Sequence, residues 1–253
     1  MIPKKIHYCW FGGNPLPELA IKCIESWKKY CPDYEIIEWN ESNFDVNAFK
    51  YTKEAYENKK MAFVSDVARM YALVNVGGIY MDTDVELVKS IDDLLDHTAI
   101  TGFETNNSLQ TAFLASEKGN KSFKEFLDSY SDIPFVLPDG SYDILPNVDR
   151  LYAFCVRRGL VPDEKLMQNI DSITVFPKDF FSPKDIRTRK IFVTDNTYAI
   201  HHFDGSWLSE QDRYMKNLMD RGYPSKIARL KMIIKYEGFK SAVKKVFSFI
   251  KDN

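Results

Sequence analysis

Gly77-Gly78-Ile79-Tyr80-Met81-Asp82-Thr83-Asp84 is the stretch on which the reading of this chain turns. A short apolar run, Ile79-Tyr80-Met81, reads as a buried strand and ends in two carboxylates separated by one small residue. In an extended strand end, residues i and i+2 project to the same side, so the spacing predicts that Asp82 and Asp84 aim at one point. The two glycines mark a tight turn or a close backbone approach. Carboxylates at the carboxyl end of such a strand fall in the ligand crevice of open α/β sheets. Hard oxygen ligands suit Mg²⁺ or Mn²⁺, which are commonly held by one or two carboxylates plus substrate phosphates. The spacing therefore points to a metal–diphosphate site of the kind that handles nucleotide sugars. A solvated Asp-X-Asp turn is the plainer alternative.

Upstream, residues 6–11 and 34–39 read as strands, and 17–30, 47–58 and 61–75 as helices. Downstream, 100–103, 111–115, 173–176 and 197–203 read as strands, with helices over 121–130 and 152–158. Residues 134–147 are rich in Pro and Gly and read as a loop around a substrate. Two amphipathic helical stretches finish the chain. Strands alternating with helices predict an α/β sheet with crossover connections. At 253 residues the chain fits one good-sized domain, 1–220, with a basic helical appendage, 221–253.

Apolar content of 45% and aromatic content of 14% are enough for a real core. A net charge of −2 gives no reason to expect nucleic-acid binding. No apolar run reaches the ~18 residues of a membrane span. The opening Met1-Ile2-Pro3-Lys4-Lys5 lacks the pattern of a signal peptide. Cys9, Cys23, Cys31 and Cys155 form no CxxC pair, so buried reduced thiols in a cytoplasmic protein are expected. Charge is uneven. From Arg221 onward nine basic residues face only Glu237 and Asp252, giving +7 there and −9 over the rest. Ile227, Leu230, Ile234, Val243, Val246, Phe247 and Ile250 among those lysines suit an anionic membrane interface at the inner face of the plasma membrane. A solvated basic face packed on the domain is the alternative.

Three further clusters could share a site with Asp82-Thr83-Asp84. Tyr8, Trp10 and Phe11, followed by Gly12-Gly13, could stack on a base or could be core. In Ala62-Phe63-Val64-Ser65-Asp66-Val67-Ala68-Arg69, Asp66 and Arg69 share a helix face. They could hold a sugar hydroxyl and a phosphate or sugar oxygen, or form a surface ion pair. In His201-His202-Phe203-Asp204-Gly205-Ser206-Trp207, strand alternation puts His201 and His202 on opposite faces. A histidine there could complete a metal sphere, and Ser206 and Trp207 could close over a diphosphate.

Taken in order, the blocks Ile2–Gly13, Ser26-Trp27, Pro32-Asp33-Tyr34-Glu35-Ile36, Trp39-Asn40, Ala62–Arg69 and Gly77–Val85 resemble glycosyltransferase family 32. These are glycosyltransferases with a sugar-binding region containing the DXD motif. The family includes bacterial capsular-polysaccharide enzymes and the yeast initiating mannosyltransferase. A more distant likeness runs to the glucosyltransferase domain of the large clostridial toxins. The likeness covers roughly the first 105 residues, with a weaker match near His201–Trp207.

That resemblance implies a GT-A fold, a Rossmann-like mixed sheet flanked by helices. It implies a retaining reaction dependent on Mn²⁺ or Mg²⁺, moving a hexosyl unit from a nucleotide sugar, UDP-linked, to a glycan or lipid-linked acceptor in surface polysaccharide synthesis. By carry-over, Asp84 binds the metal, Asp82 reaches ribose and metal, and Asp66 and Arg69 hold the donor sugar. Tyr8, Trp10, Phe11, Ala62, Ser65, Thr83, Ser206 and Trp207 line the nucleotide-sugar pocket. His202 is the chosen third metal ligand, with His201 as the alternative. Glu104 is a candidate acceptor-side base. A protein-modifying, toxin-like transferase and a non-catalytic nucleotide-sugar-binding module are the competing readings.

Overall fold

A computed structural model describes residues 1–186, 188–205 and 210–239. In chain order, β1 (Lys5–Cys9), α1 (Glu18–Tyr30), β2 (Glu35–Trp39), α2 (Lys50–Glu57), α3 (Met61–Asn75) and β3 (Gly78–Met81) form the first half of the domain. Next come β4 (Val85–Leu87), β5 (Ala99–Thr105), β6 (Ser108–Leu109), β7 (Phe113–Ser116), α4 (Lys121–Asp128) and α5 (Asn147–Val156). They are followed by β8 (Gln168–Ile170), β9 (Ile173–Phe176), β10 (Ala199–His201), α6 (Glu210–Asp220) and α7 (Ser225–Glu237).

The main sheet runs β2-β1-β3-β7-β5-β9-β8, with β6 paired to β5. β1 lies parallel to both β2 and β3, while β7 is antiparallel to β3 and β5. The mixed α/β sheet with flanking helices agrees with the expectation from sequence. β3 is buried throughout because both sheet faces are covered. Ile79 and Met81 join a core with Ile24 and Trp27 of α1. Tyr80 faces the opposite core with Val64, Val67 and Ala68 of α3.

Backbone contacts divide the chain into two units. The first comprises Met1–Pro183 and Phe192–His202 and contains both sheets. The second comprises Lys184–Ile191 and Phe203–Asn253. Within it α6 packs on α7, with Leu218, Ala228 and Ile233 buried and Tyr214 edge-on to Tyr236. Among the described residues, no helix is long and apolar enough to cross a membrane.

Three expectations are corrected. The short strands β4, β6 and β8 went unread, because two or three residues carry no periodicity of their own. Helix α5 begins at Asn147 behind Pro146, not at Tyr152, because Pro146 opens it without needing its missing N–H. Asp82 and Asp84 do not extend the strand. β3 stops at Met81, and Val85 N–H donates to Asp82 O at 3.0 Å, closing a four-residue turn.

Candidate active site

The turn that presents Asp82 and Asp84 starts from a backbone path only glycine can follow. Gly77 and Gly78 have φ of +75° and +117°. A Cβ on Gly77 would stand 2.6 Å from Lys118 N, and one on Gly78 2.6 Å from Lys5 O. The chain therefore threads closely beside β1 and launches β3 in register with it. His7 fixes the same point. Its Nε2–H donates to Gly77 O at 2.7 Å, and its Nδ1 accepts from Trp39 Nε1 at 3.0 Å. That pairing sets the neutral tautomer, and burial pushes the imidazole pKa below its ordinary value.

Beyond the turn, β4 is stapled to α1. Trp27 Nε1 donates to Val85 O at 2.8 Å, and Leu87 N–H donates to Ser26 Oγ at 2.9 Å. β4 in turn pairs antiparallel with β10, setting His201 opposite Val85. His202 N–H donates to Asp84 O at 2.9 Å.

Arg69 joins α3 to the turn. Its Nη2 lies 3.0 Å from Asp66 Oδ1 and 3.4 Å from Asp82 Oδ1. Nη1 donates to Thr111 O and Thr111 Oγ1, both at 2.9 Å, and Nε to Ser65 O at 3.3 Å. The guanidinium also covers the Tyr80 ring at 4.8 Å. All five N–H directions are thus addressed by protein acceptors. Tyr80 OH donates to Asp82 Oδ1 at 2.7 Å, so Asp82 is oriented from two sides. Burial pushes the Asp66 carboxyl up to about 6, and the nearby Arg69 charge, shared with Asp82, only partly opposes it.

One potential ligand atom from each of Asp82, Asp84 and His201 lies within 4.8 Å of the others. Two carboxylates and an imidazole form a donor set that fits a divalent cation and leaves positions for phosphate oxygens. His201 Nε2 faces Asp84 Oδ2 at 3.5 Å and its Nδ1 faces Glu104 Oε2 at 3.7 Å. Burial opposes charge on this ring, but Asp84 and Glu104 outweigh it and raise the pKa to about 10. The cluster thus gathers negative charge that a proton on His201, or a metal ion, balances.

His202, the ligand chosen from sequence, lies elsewhere. Its Nε2 is 2.8 Å from Glu86 Oε2, which also accepts from Lys22 Nζ at 3.0 Å. Alternation along β10 sends the two histidines to opposite sides, and the register with β4 brings His201 to Asp84.

Asp66, Arg69, Asp82, Asp84 and His201 form one connected group. Thr83 lies in the turn between the two aspartates, and Ala62 and Ser65 in the first turns of α3. Tyr8 and Phe11 are core side chains: Tyr8 OH donates to Glu38 Oε2 at 2.6 Å, and Phe11 meets Phe44 edge-on. Trp10 is half-buried, its Nε1 donating to Asn14 O at 2.6 Å. Ser206 and Trp207 lie outside the described residues. Sequence reasoning missed Tyr80 and Thr111. Tyr80 stands two residues before Asp82, and that spacing was the available signal. Thr111 carried none.

Residues 17–101 match the family model described as glycosyltransferase sugar-binding region containing DXD motif, the family named from the motifs. The chain is also similar to inositol phosphoceramide mannosyltransferase 3 of Schizosaccharomyces pombe, 28% identical over 123 residues. That match covers 47% of this chain and 34% of the relative. Inositol phosphoceramide mannosyltransferase 1 of the same yeast is 30% identical over 103 residues, 37% of this chain and 31% of the relative. Subversion of eukaryotic traffic protein A of Legionella pneumophila is 25% identical over 162 residues, 51% of this chain and 25% of the relative. The chain thus spans only a quarter to a third of these proteins' length. Among solved structures, it is similar to PaToxG glycosyltransferase, with TM-score 0.44, 20% identity, 60% of this chain and 69% of that one. It is also similar to a glycosyltransferase involved in glycosylation of the major capsid of PBCV-1, with TM-score 0.43, 13% identity, 85% of this chain and 98% of that one.

Proposed function

We propose that this protein is a retaining, metal-dependent glycosyltransferase that moves a hexosyl unit from a UDP-linked sugar to a hydroxyl of a glycan or lipid-linked acceptor. The observation that carries the reading is the convergence of Asp82, Asp84 and His201 on one point, the two aspartates lying inside the segment matched to the glycosyltransferase sugar-binding region containing DXD motif. Asp82, Asp84 and His201 would hold Mn²⁺ or Mg²⁺, with His201 in the place first given to His202. When bound, the cation neutralises negative charge growing on the leaving diphosphate.

Arg69 and Tyr80 fix the rotation of Asp82, which contributes preorganised charge rather than a nucleophile. Asp66 presents its carboxyl to a donor-sugar hydroxyl, and Trp10 lines the nucleotide pocket. The bond from the anomeric carbon to the diphosphate oxygen breaks. The acceptor hydroxyl oxygen bonds to that carbon from the same face, and its proton passes to the leaving phosphate oxygen. Synthesis of a bacterial surface polysaccharide at the cytoplasmic side of the membrane is the setting we favour.

Transfer to a protein is the second reading, favoured by the match to a Legionella traffic-subverting protein over half of the chain. A thermal-shift and hydrolysis panel of UDP-glucose, UDP-galactose, their N-acetyl forms and GDP-mannose, with and without Mn²⁺, tests the donor. Metal-dependent stabilisation and slow release of diphosphate from one member support the proposal. No response from folded protein across the panel rejects it in the form given. Labelled glycolipid against labelled protein in a cell extract separates the two acceptor readings.

A further inference from the structure

Helix α7, Ser225–Glu237, carries apolar side chains on two opposite faces. Ala228 and Ile233 are buried, with Met232 and Tyr236 half-buried on the same side. At about 100° per residue, Ile227, Leu230 and Ile234 fall within a stripe roughly 60° wide on the opposite side. Their exposures are 45%, 36% and 39%, and Tyr223, just before the helix, is 39% exposed. Scattered exposed apolar residues need no explanation, but an apolar stripe at helical spacing does. Lys226 and Lys231 border it, and Lys231 Nζ sits 4.6 Å from the Tyr223 ring centroid. Glu237 is the one acidic residue of the helix, within a segment of net +7.

We propose that this outward face of α7 docks on an anionic bilayer, the apolar stripe entering the headgroup–acyl boundary and the lysines meeting lipid phosphates. Charge selects this occupant. A second copy would bring two +7 segments together, and like charges facing each other oppose association. Nucleic acid would engage the lysines through its phosphates but leave Ile227, Leu230 and Ile234 without a use. The surface is independent of the donor and metal chemistry proposed above.

The test is co-sedimentation of the full chain with vesicles of phosphatidylcholine alone, or of phosphatidylcholine mixed with phosphatidylglycerol. Wild type binds the anionic vesicles, and added salt weakens that binding. An Ile227→Asp/Ile234→Asp variant loses about tenfold or more in binding, since charge on the apolar face opposes insertion. Both positions are exposed, so its unfolding midpoint and any nucleotide-sugar hydrolysis stay unchanged. Lys231→Glu, which spares the stripe, weakens anionic binding alone. Undiminished binding by the double variant overturns the proposal. So does equal wild-type binding to both vesicle types, or a wild-type dimer that the double variant dissolves.

Discussion

Arg69 Nη2 reaches Asp82 Oδ1 at 3.4 Å while the same nitrogen holds Asp66 Oδ1 at 3.0 Å, so one buried guanidinium ties α3 to the turn that carries the DXD carboxylates. The side chain of Arg69 is only 7% exposed. Its removal leaves two carboxylates in a poorly solvated place, and breaking a buried pair in this way typically costs about 3–5 kcal/mol. Arg69→Met is expected to lose stability of that order in urea unfolding. Arg69→Lys keeps the charge but cannot reach Thr111 and both carboxylates at once, and is expected to lose less. Equal losses for the two variants would show that charge plays no part.

The two neighbouring histidines separate the metal assignment cleanly. His201→Ala removes the proposed third ligand, so its Mn²⁺ affinity should fall by more than the about 10–100-fold that loss of an outer-shell partner typically costs. His202→Ala removes the bond to Glu86, away from the group of Asp82, Asp84 and His201, and should bind Mn²⁺ within about tenfold of wild type on the same comparison. Titration followed by electron paramagnetic resonance of free Mn²⁺ reads both. The reverse ranking would return the assignment to His202.

Much of this site was legible because its chemistry is local in sequence. Asp66 and Arg69 lie on one helical turn, and Asp82 and Asp84 on one β-turn, so spacing alone grouped each pair. The choice between His201 and His202 was not local. It depends on the register of β10 against β4, a three-residue strand invisible to periodicity. Tyr8 and Phe11 show the opposite limit: an aromatic run beside glycines looks the same whether it stacks on a base or fills a core. The order of strands in the sheet likewise follows from pairings between segments far apart in the chain.

Glu104 faces His201 Nδ1 at 3.7 Å, and the group of Asp82, Asp84 and His201 that could share a cation does not include it. A carboxylate placed so can fix the ring and its tautomer for a metal on the other nitrogen. Glu104→Ala is expected to weaken Mn²⁺ binding by about 10–100-fold, while Glu104→Gln, whose amide oxygen can still accept from Nδ1–H, keeps most of it. If instead Glu104 is an acceptor-side base, both variants lose kcat and both retain wild-type metal affinity.

Ser26 and Trp27 sit in a helix remote in sequence from the carboxylates, yet they hold β4 by two hydrogen bonds. Trp27→Phe preserves most of the buried ring and deletes the N–H, leaving Val85 O without its donor. A buried group deprived of its partner costs about 1–3 kcal/mol. The shift in β4 should also loosen Asp84 and His201, so Mn²⁺ affinity should drop together with stability. A stability loss with wild-type metal affinity would confine Trp27 to packing.

His7 makes a prediction about pH. The native ring donates to Gly77 O and accepts from Trp39, so a proton on Nδ1 would face an N–H. Its native pKa is lowered from the ordinary 6.5, and the unfolded chain therefore binds the proton more readily. The stability this group provides is complete above about pH 6.5 and is lost as pH falls through the native pKa. Asp66 runs the other way. Raised from 3.8 to about 6, its contribution is present at low pH and fades as pH rises through that range. Raw stability curves mix the two, so the informative quantity is the difference between wild type and His7→Gln, whose amide can still donate to Gly77 O. That difference should shrink between pH 7.5 and pH 5, by about 1.4 kcal/mol for each unit separating the native and unfolded pKa values. A difference that stays constant over the range would mean that the neutral tautomer is not what anchors β1 to the start of β3.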